Sequence, residues 1–300
     1  MNKETLSEAC SFAIHISERM DDMDLFTRAQ HDLTELIYGS NYIETAGLDF
    51  SITEELCGKL FQGEEVTAQV DPDSPEYAQA KAALIALKRP SSAEDVICGR
   101  QEILNHVHAL TYAINRFLFN DQPISEDFFK ELHERLCDGA VLGEDAGNPG
   151  EYRTWEIAAR HGKDMKKKSI FIRASAVPVY MANLVSDLRR DMLKAEAKSI
   201  DPYDMANRYC HRFVCIHPFG DGNGRMCRIL LNVLLLKYTG HVTIFGGTEG
   251  ERQEYLDITK RGNKKFHEED MEVPEEDQVG HHELARFTVR KSRAIMPGEF

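Results

Sequence analysis

Twelve consecutive residues, HPFGDGNGRMCR from His217 to Arg228, bring together an imidazole, a carboxylate, three glycines, a primary amide and two guanidinium groups. Gly220, Gly222 and Gly224 allow positive φ and consecutive exposed N–H groups. A helix expected from Arg225 points its positive dipole end at the same place, so the turn reads as an anion nest. Arg225 and Arg228 are three apart and project from one face of that helix's first turn. Two fixed guanidinium groups beside an amide nest suit a polyphosphate better than a single carboxylate. Asp221 would repel such an anion unless a cation intervened, which makes it a natural magnesium ligand. Asn223 offers its amide to a phosphate oxygen where charge develops. His217, expected at the end of the preceding helix and titrating near neutrality, has the properties of a general base for an incoming hydroxyl. Pro218 ends that helix, Phe219 is read as an anchor into the core, and Cys227 as a spacer.

Other readings of the stretch fit less well. An EF-hand loop starting at Asp221 would place Arg225, Met226 and Asn232 where an oxygen ligand, a glycine and a glutamate belong. A Walker A loop needs a Gly-Lys-Ser/Thr run that is absent, and a dinucleotide fingerprint should follow a strand rather than a helix. A glycine turn with no ligand is the bland alternative. His106 with His108, and His281 with His282, lack a companion Cys or Asp at ligand spacing and are not read as metal sites. The run Lys166–Lys168 reads as a solvated turn. Seven scattered cysteines without a Cys-x-x-Cys pair read as reduced, mostly buried thiols.

The elements that must position these groups are helical. Leu25, Ala29, Leu33, Leu36 and Ile37 form an apolar stripe in a first helical segment that runs to about Gly47. Residues 62–78 read as a polar loop with two prolines. A long helix follows over 92–119, with SAED as a capping box, and another starts after Ser125. Glycines at 139, 143, 147 and 150 with Pro149 lead into an expected β-hairpin with strands at 154–157 and 169–172. Helices are expected over 178–194, from the Asp201-Pro202 cap to about Ile216, and from Arg225 to Tyr238, stopping at Gly240. Residues 267–283, with eight acidic side chains, read as a solvated or partly disordered arm.

At 42% hydrophobic and 29% charged, the chain is that of a folded globular protein. A net charge of −14 disfavours nucleic acid as a partner. The longest apolar run, Ile229 to Leu236, is broken by Asn232 and too short for a membrane span, and the first residues lack a signal-peptide pattern. A cytoplasmic home, with the nucleus as second choice, is the expectation.

HPFGDGNGRMCR resembles the signature of the Fic family, His-Pro-Phe-x-(Asp/Glu)-Gly-Asn-Gly-Arg-x-x-Arg, at every fixed position. The resemblance implies an all-α fold: a helical bundle with a small β-hairpin flap, whose central helix-loop-helix holds ATP. The implied reaction is transfer of AMP from ATP to a Ser, Thr or Tyr hydroxyl of a target protein. It implies His217 as the base, Asp221 as ligand of Mg2+ or Mn2+, and Gly222, Asn223 and Gly224 as the anion hole, with Arg225 and Arg228 on the terminal phosphates. PGEYRTWEI and the hairpin, about 150–173, resemble the family's flap, along which an extended target segment docks by edge pairing. EYLDITKRGN resembles the element lining the adenine pocket, with Tyr255 the base contact, although Thr259 to Asn263 stand where the family often has Ala-Asn-x-Gly-Asp.

SNYIET, residues 40–45, resembles the family's inhibitory motif (Ser/Thr)-x-x-x-Glu-(Gly/Asn), with Ser40 and Glu44 matching and Thr45 departing. The resemblance implies that Glu44 pairs with Arg228 and denies it to the γ-phosphate. The organisation implied is an N-terminal helical region at 1–90 carrying this motif, a catalytic core at 91–265 and an acidic extension at 266–300, with homodimers by analogy to family members. Removal of AMP, or transfer of another phosphate-containing group, are alternatives at the same site. A non-catalytic nucleotide-binding scaffold is the rival of another class.

Overall fold

The computed structural model describes residues 23–139, 147–160, 168–274 and 277–295. Residues 1–22, which include the start of the first expected helical segment, lie outside it. So do Lys166 and Lys167 of the expected hairpin tip.

Among the described residues the fold is all-α with two short antiparallel strand pairs. Helix α1 (Met23–Ile43) and α2 (Phe50–Phe61) pack together, followed by α3 (Pro75–Ala86) and the long α4 (Ala93–Ile114), which continues as a π-helical turn to Phe119. The Ser92/Asp95 capping box forms as the sequence predicts. Ser125 caps α5 (Glu126–Leu136). After the hairpin strands β1 (Ala158–Arg160) and β2 (Lys168–Ile170) come α6 (Val177–Glu196), α7 (Pro202–Ile216) and α8 (Asn223–Thr239). Strand β3 (His241–Thr243), α9 (Glu249–Glu269), α10 (His282–Lys291) and β4 (Ser292–Ala294) complete the described elements.

The centre of the bundle is α8. Every residue from Arg225 to Leu236 is buried, so this helix is enclosed on all sides rather than amphipathic. Burial obliges its polar side chains to be satisfied: Asn232 donates Nδ2 to the Arg228 carbonyl, and its Oδ1 accepts from Thr243 N, tying β3 to the helix. Helices α4, α5 and α7 pack around α8, and α1 also contacts it. Where α1 meets the segment after β3, a Cβ on Gly39 would sit 2.0 Å from the Phe245 carbonyl oxygen. Only glycine allows that approach.

Three expectations are corrected. The loop read over 62–78 ends at Ser74, whose hydroxyl caps Tyr77 N, so that Pro75 is the first residue of α3 rather than a loop breaker. The strands expected at 154–157 and 169–172 pair instead as Ala158 with Ile170 and Arg160 with Lys168. The reason is Arg153, whose guanidinium donates to the carbonyls of Trp155 and Ile172 and draws both segments out of the ladder.

The third correction concerns the arm expected over 267–283, whose described residues, 267–274 and 277–283, do not form a solvated arm. The buried Glu269 carboxylate accepts from Val279 N and Gly280 N and folds the segment back, so that Leu284 and Phe287 of α10 enter the core. Strand β4 then pairs with β3, Val242 opposite Arg293. The eight acidic residues disguised an apolar stripe that begins only after them. No helix among the described residues is long and apolar enough to cross a membrane.

Candidate active site

The α7–α8 turn opens into a cavity of about 180 Å³ lined by His217, residues Asp221 to Arg225, Arg228, Glu44 and Tyr255. The turn is held by contacts that spacing alone does not reveal. Asn223 does not present its side chain to a ligand: Oδ1 accepts from Phe219 N at 3.0 Å and Nδ2 donates to Phe219 O at 2.8 Å, closing the loop. That corrects the expectation of an amide aimed at phosphate, because the buried Phe219 backbone needs those partners. Phe219 is fully buried and stacks on the His133 ring with centroids 3.9 Å apart. His133 Nδ1 accepts from Gly150 N, so Nε2 carries the proton and donates to the Asp221 carbonyl at 3.1 Å.

Of the three glycines, only Gly222 takes a left-handed backbone (φ 73°); α8 starts at Asn223, two residues earlier than expected, and Gly224 is helical. The nest is therefore built less from loop amides than from the first-turn N–H groups of a helix, which lack intrahelical acceptors and carry the positive dipole end. Arg225 is buried, with Nη2 3.9 Å from Asp221 Oδ2 and Nε without a hydrogen-bond partner among the described residues. An orphaned guanidinium donor beside these amides fits an anionic ligand. The side chain of Asp221 is 60% exposed over the cavity, and one of its oxygens accepts from the neighbouring Gly222 N. One carboxylate beside the N–H groups of a helix N-terminus fits magnesium, which takes few protein ligands and completes its shell with phosphate and water.

His217 is the C-terminal cap of α7 and has a left-handed backbone, φ 53°. Arg153 holds that turn, donating Nε to the His217 carbonyl at 2.7 Å and its own backbone N–H to Pro218 O at 2.9 Å. The imidazole stacks under Phe171, the residue after β2, with centroids 3.8 Å apart. Nδ1 lies 3.1 Å from the Val214 carbonyl. Only a protonated Nδ1 can make that bond, which leaves the Nε2 lone pair free. Burial lowers the pKa of this imidazole to about 4. The expectation of titration near neutrality is thus corrected, since enclosure by Phe171 and Arg153 disfavours the cation.

At the other end of the cavity Arg228 is buried and fully engaged. Nε donates to Ser40 Oγ at 2.8 Å, Nη2 to Ser40 O at 2.9 Å and to Glu44 Oε1 at 2.7 Å, and Nη1 lies 3.4 Å from Tyr255 Oη. Burial alone would weaken its charge, but the Glu44 carboxylate holds its pKa above the ordinary arginine value. Glu44 fits there because Gly224 has no side chain: a Cβ at 224 would lie 2.0 Å from Glu44 Oε1. Tyr255 is buried in the cavity wall with its ring under the Arg228 guanidinium.

Glu44 lies just beyond the end of α1, in the turn that closes it. Thr45 N donates to Tyr42 O and Ala46 N to Asn41 O, which is a Schellman termination with Thr45 at the left-handed position, φ 59°. That position ordinarily takes Gly or Asn, the residues from which Thr45 departs.

Sequence reading missed Arg153 and His133, the two side chains that shape the turn from outside it. Their only signal was a buried type of interaction that no local spacing encodes.

Residues 123–235 match the model of the Fic/DOC family. A Fido domain-containing protein of Dictyostelium discoideum is 42% identical over 69 residues, 23% of this chain and 46% of that protein. Protein adenylyltransferase Fic of Drosophila ananassae is 27% identical over 165 residues, 54% of this chain and 29% of that protein. The chain thus spans less than half the length of either relative. A Fic domain containing signaling protein from Bacteroides thetaiotaomicron VPI-5482 shares the fold at TM-score 0.63 and 17% identity, covering 96% of this chain and 93% of that one. Residues 123–235 thus resemble the Fic/DOC family, and several of the similar proteins are named protein adenylyltransferases.

Proposed function

We propose that this protein transfers AMP from ATP to a hydroxyl side chain of a target protein and that Glu44 restrains the reaction. The observation that carries the reading is the opposition across one cavity of an unprotonated imidazole nitrogen on His217 and a guanidinium on Arg228 that is already neutralised.

In this reading the α-phosphate lies over the first turn of α8, where backbone N–H groups and the Arg225 guanidinium stabilise charge as it develops. His217 Nε2 takes the proton of the incoming hydroxyl, and the Val214 carbonyl keeps the tautomer that leaves Nε2 available. A neutral imidazole at pH 7 is ready for this role without first losing a proton. Asp221 would hold a magnesium ion, whose bound form supplies charge neutralisation to the phosphates. The half-formed ladder of β1 and β2 offers backbone groups to an extended target segment, and Phe171 shields the base. Tyr255, with Leu256 beside it, forms the wall suited to the nucleobase.

Arg228 reaches terminal phosphates only when Glu44 withdraws. A side chain with four hydrogen-bonding contacts in a buried setting is held in place, and removing one partner of such a pair is costly. Incubating the protein with magnesium and ATP labelled at the α-phosphate, alone and with cell lysate, tests the proposal. Label should appear on protein with Glu44→Gly and be lost with Glu44→Gly/His217→Ala. Label that persists in the double variant, or none in the single one, would overturn it.

A further inference from the structure

We propose that Asp204, His281 and His282 form a binding site for a transition-metal cation of the zinc class, remote from the cavity and independent of the activity proposed above. Asp204 lies in the first turn of α7, while the two histidines open α10, 77 residues later. His281 Nε2 is 2.8 Å and His282 Nε2 3.9 Å from the same oxygen, Asp204 Oδ1, and all three ligand atoms lie within 4.8 Å of one another. Ligands at zinc bonding distance in tetrahedral geometry stand about 3.3 Å from each other. The observed separations bracket that value, so small side-chain rotations would complete the set.

A simple His281–Asp204 hydrogen bond explains half of the arrangement. It does not explain why a second imidazole turns its Nε2 to that oxygen from beyond hydrogen-bond range. Nor does helix capping explain the residues: His281 is the N-cap of α10 and makes no side-chain capping bond, where Ser, Thr, Asp or Asn would. Arg208 holds the other carboxylate oxygen, Oδ2, at 2.7 Å, which orients Oδ1 toward the histidines in the manner of an outer-shell partner. The two helix N-termini oppose a cation here, and so does the Arg208 charge, but the dipole contribution is small beside that of metal ligation. His281 is buried and the His282 side chain is 46% exposed, so a bound metal would keep a position open to water. Imidazole ligands exclude magnesium as the natural occupant. The site would staple α10 to α7, and through β4 secure Arg293 against Asp32 and Glu35 of α1.

The test uses chelator-treated full-length protein titrated calorimetrically with Zn2+, with Co2+ as a spectroscopic substitute. One equivalent should bind, with Co2+ bands free of sulfur charge transfer and a rise in Tm on adding zinc. His282→Ala keeps the His281–Asp204 bond, so its metal-free Tm should match wild type while its zinc affinity falls at least tenfold. Asp204→Asn and His281→Gln should abolish the stoichiometric site. The proposal is overturned by the absence of binding to folded wild-type protein. Unchanged affinity in His282→Ala, or thiolate bands showing the metal on cysteines, would overturn it equally.

Discussion

The two ends of the cavity differ sharply although one twelve-residue stretch supplies both. At the His217 end the groups are poised: Nε2 is unprotonated, and Asp221 is exposed above the first turn of α8. At the Arg228 end the donors are occupied by Ser40, Glu44 and Tyr255, groups that come from α1, the turn after it and α9. The contrast teaches that residues adjacent in sequence are controlled separately when different elements cover them. Arg153 and Phe171, from the hairpin region, shape one end, whereas the end of α1 closes the other.

If that division is correct, His217→Ala in the Glu44→Gly background should lower AMP transfer by roughly 10²–10⁴-fold, the ordinary range for a general base, while ATP binding measured calorimetrically stays within about threefold. A comparable loss of binding would show that His217 belongs to the nucleotide site instead.

Glu44→Gly alone should raise transfer by roughly 30–100-fold. That corresponds to about 2–3 kcal/mol, a lower figure than for a fully buried pair because Glu44 is about one-third exposed. Radiolabel incorporation under matched ATP concentrations checks it.

Acid should act on the poised end and on the bundle together. His106, His108, His133, His211 and His217 all have pKa values lowered by burial, most of them to about 4. In the unfolded chain these histidines bind protons near 6.5, so between about pH 6.5 and 4 the unfolded state holds more protons and stability falls as pH falls. Tm should therefore drop steadily below pH 6.5, while transfer by the Glu44→Gly variant stays flat from pH 6 to 8. A step in activity centred near pH 6.5 would show that His217 is less enclosed than its packing under Phe171 indicates.

The smallest effects concern how the locked end is maintained. Ser40→Ala removes one acceptor from Arg228 and should raise basal transfer about fivefold, the value of one hydrogen bond near 1 kcal/mol. Thr45→Asn relieves a β-branched residue from a left-handed backbone and should raise stability by about 1 kcal/mol without loosening Glu44. Denaturant midpoints and basal labelling would separate the two.

Much of the fold was legible because its signals are local. The Ser92 box, the Ser125 and Asp201 caps and the Gly240 stop each act within one helical turn, and the elements begin or end beside them. The hairpin register and the course of residues 267–283 were not legible, since each is decided by a single buried side chain, Arg153 or Glu269, satisfying backbone groups distant in sequence. At the site, the composition of the nest could be read. The use of the Asn223 amide inside the loop could not, because a primary amide serves a phosphate or a backbone equally well.

By itself, then, the sequence determined the helices, the turn between α7 and α8 and the chemical groups gathered there, because periodicity, caps and motif spacing are properties of neighbouring residues. The tertiary structure alone decided which nitrogen of His217 is free, how far burial suppresses its charge and which element covers Arg228. It also brought Asp204 to His281 and His282. Those outcomes depend on dielectric surroundings and on distances between segments far apart in the chain, and neither is set until the helices have packed.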